Sequence, residues 1–275
     1  MSLTDHVSAD RLALAGLASS SRQDGPLANA VAAFRAMTPG PHWHSDWAWA
    51  HYEALAVHLA QSFELPRLLE LGGGRDPAFL DSGREAGLSV TINDIDAGEL
   101  AHLPAGTQTA RFDLVGDLRG RPDLHEAYDI AVSRMVFEHL PDVPRAWRNV
   151  HRLLKPGGVG IAFFPTLYAW PFVVNKLLPD DVARGIVERL FPNRSRDGGD
   201  PVFPAHYSEC FGSEKRLRRM LDPIGFREVQ VLPFWGHHYL KRFPGVYQAE
   251  ALMNRAFAAL DCRLFTTYAL VIVRK

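Results

Sequence analysis

Three groups of side chains in this chain have the types and spacing that chemistry needs. Glu70 stands one residue ahead of Leu71 and three consecutive glycines, Gly72, Gly73 and Gly74. Asp94 follows about 20 residues beyond that turn, the spacing at which an acid reaches a ribose hydroxyl. In Ser133-Arg134-Met135-Val136-Phe137-Glu138-His139-Leu140-Pro141-Asp142 a carboxyl and an imidazole are adjacent. His139 is the first candidate for a general base or a substrate contact. Aromatic and histidine residues then cluster three times: in 42–52, with three tryptophans and three histidines in eleven residues, at His206-Tyr207, and in Phe234-Trp235-Gly236-His237-His238-Tyr239.

These groups need elements to hold them. Arg67-Leu68-Leu69-Glu70-Leu71 is a short apolar run that reads as a buried parallel strand. The glycines after it let the backbone approach a ligand closely, because no Cβ intervenes. Asp76 offers an N-cap and Pro77 a first helical position, so a crossover helix is expected over 77–86, closed by Gly87. Leu88-Ser89-Val90-Thr91-Ile92-Asn93-Asp94 is a second apolar run ending in its carboxylate. Strand, glycine turn, helix and a second strand with an acid together predict a ligand that contains a nucleoside.

The kind of nucleoside is narrowed by what is absent. The dinucleotide fingerprint needs a third glycine for tight helix–strand packing. Counted from Gly72, that place is held by Pro77. There is no G-x-x-x-x-G-K-[ST] phosphate loop, so nucleoside triphosphate hydrolysis has no support. Glu70 would repel a pyrophosphate and would suit a ligand with a cationic end, such as S-adenosylmethionine with its ammonium and sulfonium.

From about Leu68 to Phe164 the sequence resembles the class I S-adenosylmethionine-dependent methyltransferases. Leu69-Glu70-Leu71-Gly72-Gly73-Gly74 is similar to that family's first motif, and Asp94 stands where its ribose-binding acid stands. Tyr128-Asp129-Ile130-Ala131-Val132-Ser133 resembles the fourth strand, and Leu153-Leu154-Lys155-Pro156-Gly157-Gly158 the turn before the fifth. The resemblance implies an α/β fold: a doubly wound, mostly parallel seven-stranded Rossmann-like sheet whose last strand runs antiparallel between strands five and six. It implies S-adenosylmethionine as cofactor, held by Glu70, Gly72, Gly73, Gly74, Asp94 and Ile95. The family places an acid beyond strand three against the adenine amino group, and Asp113 and Asp117 both qualify, Asp117 with the slightly better fit. Ser133 and Arg134, after strand four, would flank the methionine end. Glu138-His139 resembles the E-H-[VL]-x-D signature of small-molecule methyltransferases. Some quinone O-methyltransferases bind a divalent cation near this segment, for which Glu138, His139 and Asp142 would be the ligands here; no metal is expected.

The remainder of the chain supplies the surroundings. Residues 1–60 read as an N-terminal helical cap, with helices over 29–37 and 47–59. Trp47 and Tyr52 read as core packing; for His42, Trp43 and His44 a place in a substrate lid stands beside that reading. The core is expected over 61–164. Thr166 to Cys210 spans 45 residues where the family has a short connection. Long excursions in compact domains are commonly functional, and 165–212 is read as a lid over the acceptor pocket, carrying Tyr168, His206 and Tyr207, with His206 a second candidate base. The core resumes over 213–275, with a second insertion at 233–262 that brings Trp235 and His238 to the rim.

The chain has 275 residues, 47% apolar and 22% charged, with net charge −1. That balance gives no global field for nucleic acid or an anionic membrane, and no flipped-base motif is present. Two cysteines, Cys210 and Cys262, make neither a metal spacing nor a disulfide framework. No leader and no membrane-length apolar run are seen, so a cytoplasmic location is expected, as a monomer or homodimer. The expected reaction is methylation of a small-molecule acceptor, at a hydroxyl of a sugar, glycan or secondary metabolite, as in the bacterial methyltransferases the layout resembles. The competing readings are a protein that binds S-adenosylmethionine or its demethylated product without turnover, and a nucleotide-sugar or NAD enzyme on a related fold.

Overall fold

Seven strands form one sheet in the order β3-β2-β1-β4-β5-β7-β6. The computed structural model describes residues 25–167, 205–237 and 244–275. The strands are β1 (Arg67–Leu71), β2 (Ser89–Asp94), β3 (Gln108–Arg111), β4 (Tyr128–Arg134), β5 (Leu154–Pro165), β6 (Glu228–Phe234) and β7 (Tyr268–Arg274). Pairs from β3 across to β5 are parallel, while β7 is antiparallel to both β5 and β6. The expected seven-stranded sheet, with its antiparallel last strand between five and six, is therefore present.

The sheet is central because its strands are apolar on both faces. Leu68, Ile130, Val132, Ile161 and Phe163 face one core, and Leu69, Ala131, Ala162 and Phe164 face the other. Helices α1 (Pro26–Met37) and α2 (Ser45–Ala60) cover the first face through Val31, Phe34, Trp47, Tyr52 and Leu55. Helix α3 (Leu80–Glu85) and the short α4 (Ala97–Ala101) lie along the β1–β2–β3 half. Helix α5 (Val143–Leu153) covers the second face with Val143, Ala146, Trp147, Val150 and Leu153; Asp142 caps it, accepting the Arg145 N–H at 2.9 Å. Helix α6 (Glu214–Leu221) packs beside it through Leu217 and Leu221, and α7 (Pro244–Ala259) precedes β7.

Two boundaries differ from the sequence reading. Helix α3 begins at Leu80, not Pro77, because the Ala78 and Phe79 N–H groups donate to the Glu70 carboxylate at 2.8 and 3.0 Å. Asp76 accordingly caps no helix here. β4 continues through Arg134, so Ser133 and Arg134 end the strand and do not lie in the loop after it. Residues 168–204 of the lid expected over 165–212, Tyr168 among them, lie outside the described residues, as do His238 and Tyr239.

Candidate cofactor and acceptor site

The carboxyl ends of β1, β2, β4, β5 and β6 share one rim, and the candidate residues gather there. The glycine turn has Gly72 at φ +66° and Gly74 at φ +53°, a backbone region that glycine enters without penalty. A Cβ on Gly72 would also come within 2.7 Å of Val136 Cγ2. Glu70, buried beneath this turn, accepts the two N–H groups that follow it, so its carboxylate shapes the loop. Burial raises its pKa and those two hydrogen bonds work the other way.

Opposite the turn, Asp94 Oδ1 accepts the Asp96 N–H at 2.9 Å, and Oδ2 lies 3.5 Å from where a Cβ on Gly74 would stand. Ile95 beside it is 52% exposed, an apolar face left open on the rim. Asp113 follows β3 half-buried, with Oδ1 on the Val115 N–H at 2.9 Å. Two buried asparagines hold its backbone in place: Asn93 Nδ2 donates to the Ala110 and Phe112 carbonyls, and Asn149 Nδ2 to those of Leu114 and Gly116. Neither asparagine was singled out in the sequence. Asp117 was given the slight preference for adenine, and the structure gives it surroundings unlike those of Asp113. Asp117 is exposed, and Arg119 chelates it through Nε and Nη2, at 2.7 Å for the latter, which holds its pKa far below the usual carboxylate range.

Arg134 ends β4 beside α2. Its Nη1 is 3.4 Å from Glu53 Oε1, and its guanidinium lies 5.9 Å from the Trp49 ring centroid. Trp49 in turn meets Phe163 and Tyr268 edge-on. Tyr52, one turn along, is buried, and burial together with the Glu70 charge pushes its hydroxyl well up. Trp49 and Glu53 were missed as site residues. Their spacing with Tyr52 on one helix face was the available signal, masked by the wider run of aromatics. Ser133 is buried, with its backbone paired to β1 and β5.

The loop after β4 carries the acid and the imidazole. Glu138 is 1% exposed, and neither carboxylate oxygen has a hydrogen-bond partner among the described residues. Burial pushes its pKa up to about 8, so the group is largely protonated at neutral pH. His139 Nε2 lies 3.8 Å from Glu138 Oε1, too far for a hydrogen bond. The returning end of the long excursion closes over this pair: the His206 and Tyr207 N–H groups both donate to the Glu138 carbonyl, at 2.7 and 3.0 Å. Met135, Tyr207 and Glu209 all have positive φ here, a concentration of backbone strain of the kind found at functional sites. Among the described residues no cluster of three His, Cys, Asp or Glu side chains could hold a metal ion.

The remaining aromatic cluster also reaches the rim, in altered roles. Trp43 O accepts the Trp235 N–H at 2.9 Å and Trp235 O accepts the Ser45 N–H at 3.0 Å, so the N-terminal segment adds a short parallel bridge beyond β6. Trp235 was expected to face the acceptor. Its ring is 2% exposed and its Nε1 donates to the Cys262 carbonyl, so it packs under the rim. His44 caps α2, accepting the Asp46 N–H at 3.1 Å, and its ring fills the space a side chain on Gly236 would take. His42 contacts the Thr38 carbonyl and the Trp47 ring edge. Trp43 stays half-buried against His44. His237, not singled out earlier, forms a buried pair with Glu250 of α7 at 2.7 Å.

A family profile described as Methyltransferase domain matches residues 43–231, which contain the glycine turn, Asp94, Arg134, Glu138 and His139. The chain belongs to that family. This methyltransferase is 33% identical over 177 residues to the ubiquinone biosynthesis O-methyltransferase of Paramagnetospirillum magneticum, covering 62% of this chain and 67% of that one. It is 28% identical over 242 residues to the malonyl-[acyl-carrier protein] O-methyltransferase of Pseudescherichia vulneris, covering 80% and 89%. It also matches 115 residues of an Aspergillus clavatus polyketide synthase-nonribosomal peptide synthetase at 29% identity, 38% of this chain but 3% of that protein's length. In fold it is similar to a SAM dependent methyltransferase from Archaeoglobus fulgidus, with a TM-score of 0.52 at 16% identity, covering 89% of this chain and 99% of that one. The methyltransferase is thus of the class I, S-adenosylmethionine-dependent type. No helix among the described residues is long and apolar enough to cross a membrane.

Proposed function

We propose that the chain methylates a hydroxyl of a small molecule (a sugar, glycan or secondary metabolite) in the cytoplasm, using S-adenosylmethionine. The observation that carries this reading is the meeting, on one rim, of a glycine cradle facing Asp94 with a shielded carboxyl–imidazole loop. The residues present suit the cofactor. Asp94 would take the ribose hydroxyls, Ile95 would cover an adenine face, and Asp113 would accept from its amino group. Arg134 and Glu53, with opposite charges 3.4 Å apart, suit an amino-acid end that carries both a carboxylate and an ammonium. When bound, the sulfonium supplies an activated methyl group for in-line displacement.

The protein's own work is then positioning, exclusion of water and one proton transfer. His139, half-exposed beside the buried Glu138, is the group we assign to take the acceptor's hydroxyl proton, with His206 on the overlying segment as the alternative. A protonated Glu138 adds no competing negative charge. Trp43 and Tyr207 would wall the acceptor. The names of the two O-methyltransferase relatives support oxygen as the acceptor atom, and the balanced charge supports a small molecule over a nucleic acid. S-adenosylhomocysteine should raise the melting temperature more than NAD or ATP do, since a ligand bound only to the folded state stabilises it by mass action. Release of S-adenosylhomocysteine with an added hydroxyl acceptor would exclude a binding-only role, and stronger protection by NAD would overturn the reading.

A further inference from the structure

A recess of about 260 Å³ at the carboxyl end of β5 has no role in the scheme above. Thr166, Thr266 and Cys210, all buried, form its floor, and Arg216 and Arg263 stand among its walls. The floor has no hydroxyl proton to offer: Thr166 Oγ1 donates to the Thr266 carbonyl, and Thr266 Oγ1 to the Arg263 carbonyl at 3.1 Å. It is also backbone-tight at Gly212, where a Cβ would fall 2.3 Å from Thr266 Oγ1. The donors come from the walls. Arg216 lies 4.2 Å over the Phe211 ring centroid and has no carboxylate partner among the described residues. Arg263 gives only its Nε to Asp261, at 2.9 Å. Ser213 begins α6 with no side-chain cap bond, so the positive end of that eight-residue helix also borders the recess. The two guanidiniums have between them one carboxylate partner among the described residues, Asp261 on Arg263, and planar guanidinium forks match carboxylate and phosphoryl oxygens.

The recess also adjoins the reaction site. Its floor residue Cys210 donates its N–H to the Tyr207 carbonyl at 3.4 Å, the Tyr207 N–H donates to the Glu138 carbonyl at 3.0 Å, and the Cys210 carbonyl accepts the Leu167 N–H at 2.8 Å, just past β5. A group held between the arginines would lie next to the loop that carries His139. We propose that this recess is an oxyanion site that holds the carboxylate or phosphoryl end of the methyl acceptor through Arg216 and Arg263. It rests on the methyl-transfer reading and narrows the acceptor to an anionic hydroxy compound.

The test is calorimetric titration of the full chain, saturated with S-adenosylhomocysteine, with inorganic phosphate and separately with malonate, at ionic strength held constant. R216Q and R263Q are compared with the parent and with R219Q, an exposed arginine on the same helix outside the recess. We expect one phosphate or malonate per chain, weakened about tenfold or more by R216Q or R263Q and unchanged by R219Q, as for the loss of a charged hydrogen bond. Tighter malonate marks a carboxylate acceptor, and tighter phosphate a phosphoryl one. Equal titration of parent, R216Q and R263Q, or an equal loss in R219Q, overturns the site. A panel of hydroxy acids and their amides then reads turnover; methylation confined to the amides overturns the acceptor assignment. If S-adenosylhomocysteine fails to bind while phosphate still titrates, the methyl-transfer reading fails and the recess stands.

Discussion

Replacing Glu138 by glutamine should remove a pH dependence that the parent protein carries. The carboxyl is 1% exposed with no hydrogen-bond partner among the described residues, and its pKa moves from an ordinary 4.5 to about 8. Above pH 4.5 the unfolded chain releases this proton, while the folded chain keeps it until about pH 8. Stability from this group is therefore complete below the unfolded value and is lost as pH rises toward the folded one. The slope is at most about 1.4 kcal/mol per pH unit, and the whole interval amounts to about 5 kcal/mol. Local relaxation and water entry would roughly halve that figure, leaving about 2–3 kcal/mol. Glutamine has nearly the same shape and no proton to lose. In urea melts from about pH 5 to about pH 8, the Glu138→Gln variant should gain on the parent by that amount, with the gap opening steadily. Parallel stability curves would refute the reasoning and mean that the carboxylate ionises in the fold at little cost.

Other substitutions probe the remaining parts of the site. Asp94→Ala should weaken S-adenosylhomocysteine binding by about 1.5–3 kcal/mol in calorimetry, the loss of a charged hydrogen bond, with the fold intact. Asp113→Ala should weaken it as well, while Asp117→Ala should leave it unchanged; the reverse order would reassign the adenine contact. Gly72→Ala meets both a positive φ and Val136, so a destabilisation of about 1–3 kcal/mol and loss of cofactor binding are expected in melts and titrations. Glu250→Ala removes one side of the buried His237–Glu250 pair and should cost about 3–5 kcal/mol in denaturant melts; a near-neutral result would mean that the pair is not a structural anchor.

What could be read from sequence was what is local. The apolar run before Gly72, the carboxylate ending β2 and the order of the strands each show in a few consecutive residues, because strand burial and turn chemistry are short-range. The start of α3 was misjudged because Glu70, eight and nine residues upstream, takes the N–H groups that Asp76 was expected to organise. The Arg134–Glu53 contact joins residues 81 apart, and no pattern along the chain announces it. The burial of Glu138 depends on a segment that returns from beyond residue 204 to donate two N–H groups to its carbonyl. His44 and Trp235 were recognised as a rim cluster, but their polar atoms are used up by capping and by a backbone carbonyl, which composition cannot reveal.

The antiparallel seventh strand also decides which way the molecule can be held. Because β7 runs against β5, its last residues finish at the rim opposite the glycine turn, where Lys275 pairs with Glu126 and its backbone meets Gly157 and Gly158. The start of α1 comes to the same side, with the Leu27 N–H on Glu228, which also pairs with Arg274. A biotin or surface tether attached after Lys275 would leave the cofactor rim facing solution. Titrations on an immobilised chain should then reproduce those in free solution, and a fluorophore at that end should report tumbling without sensing the ligand.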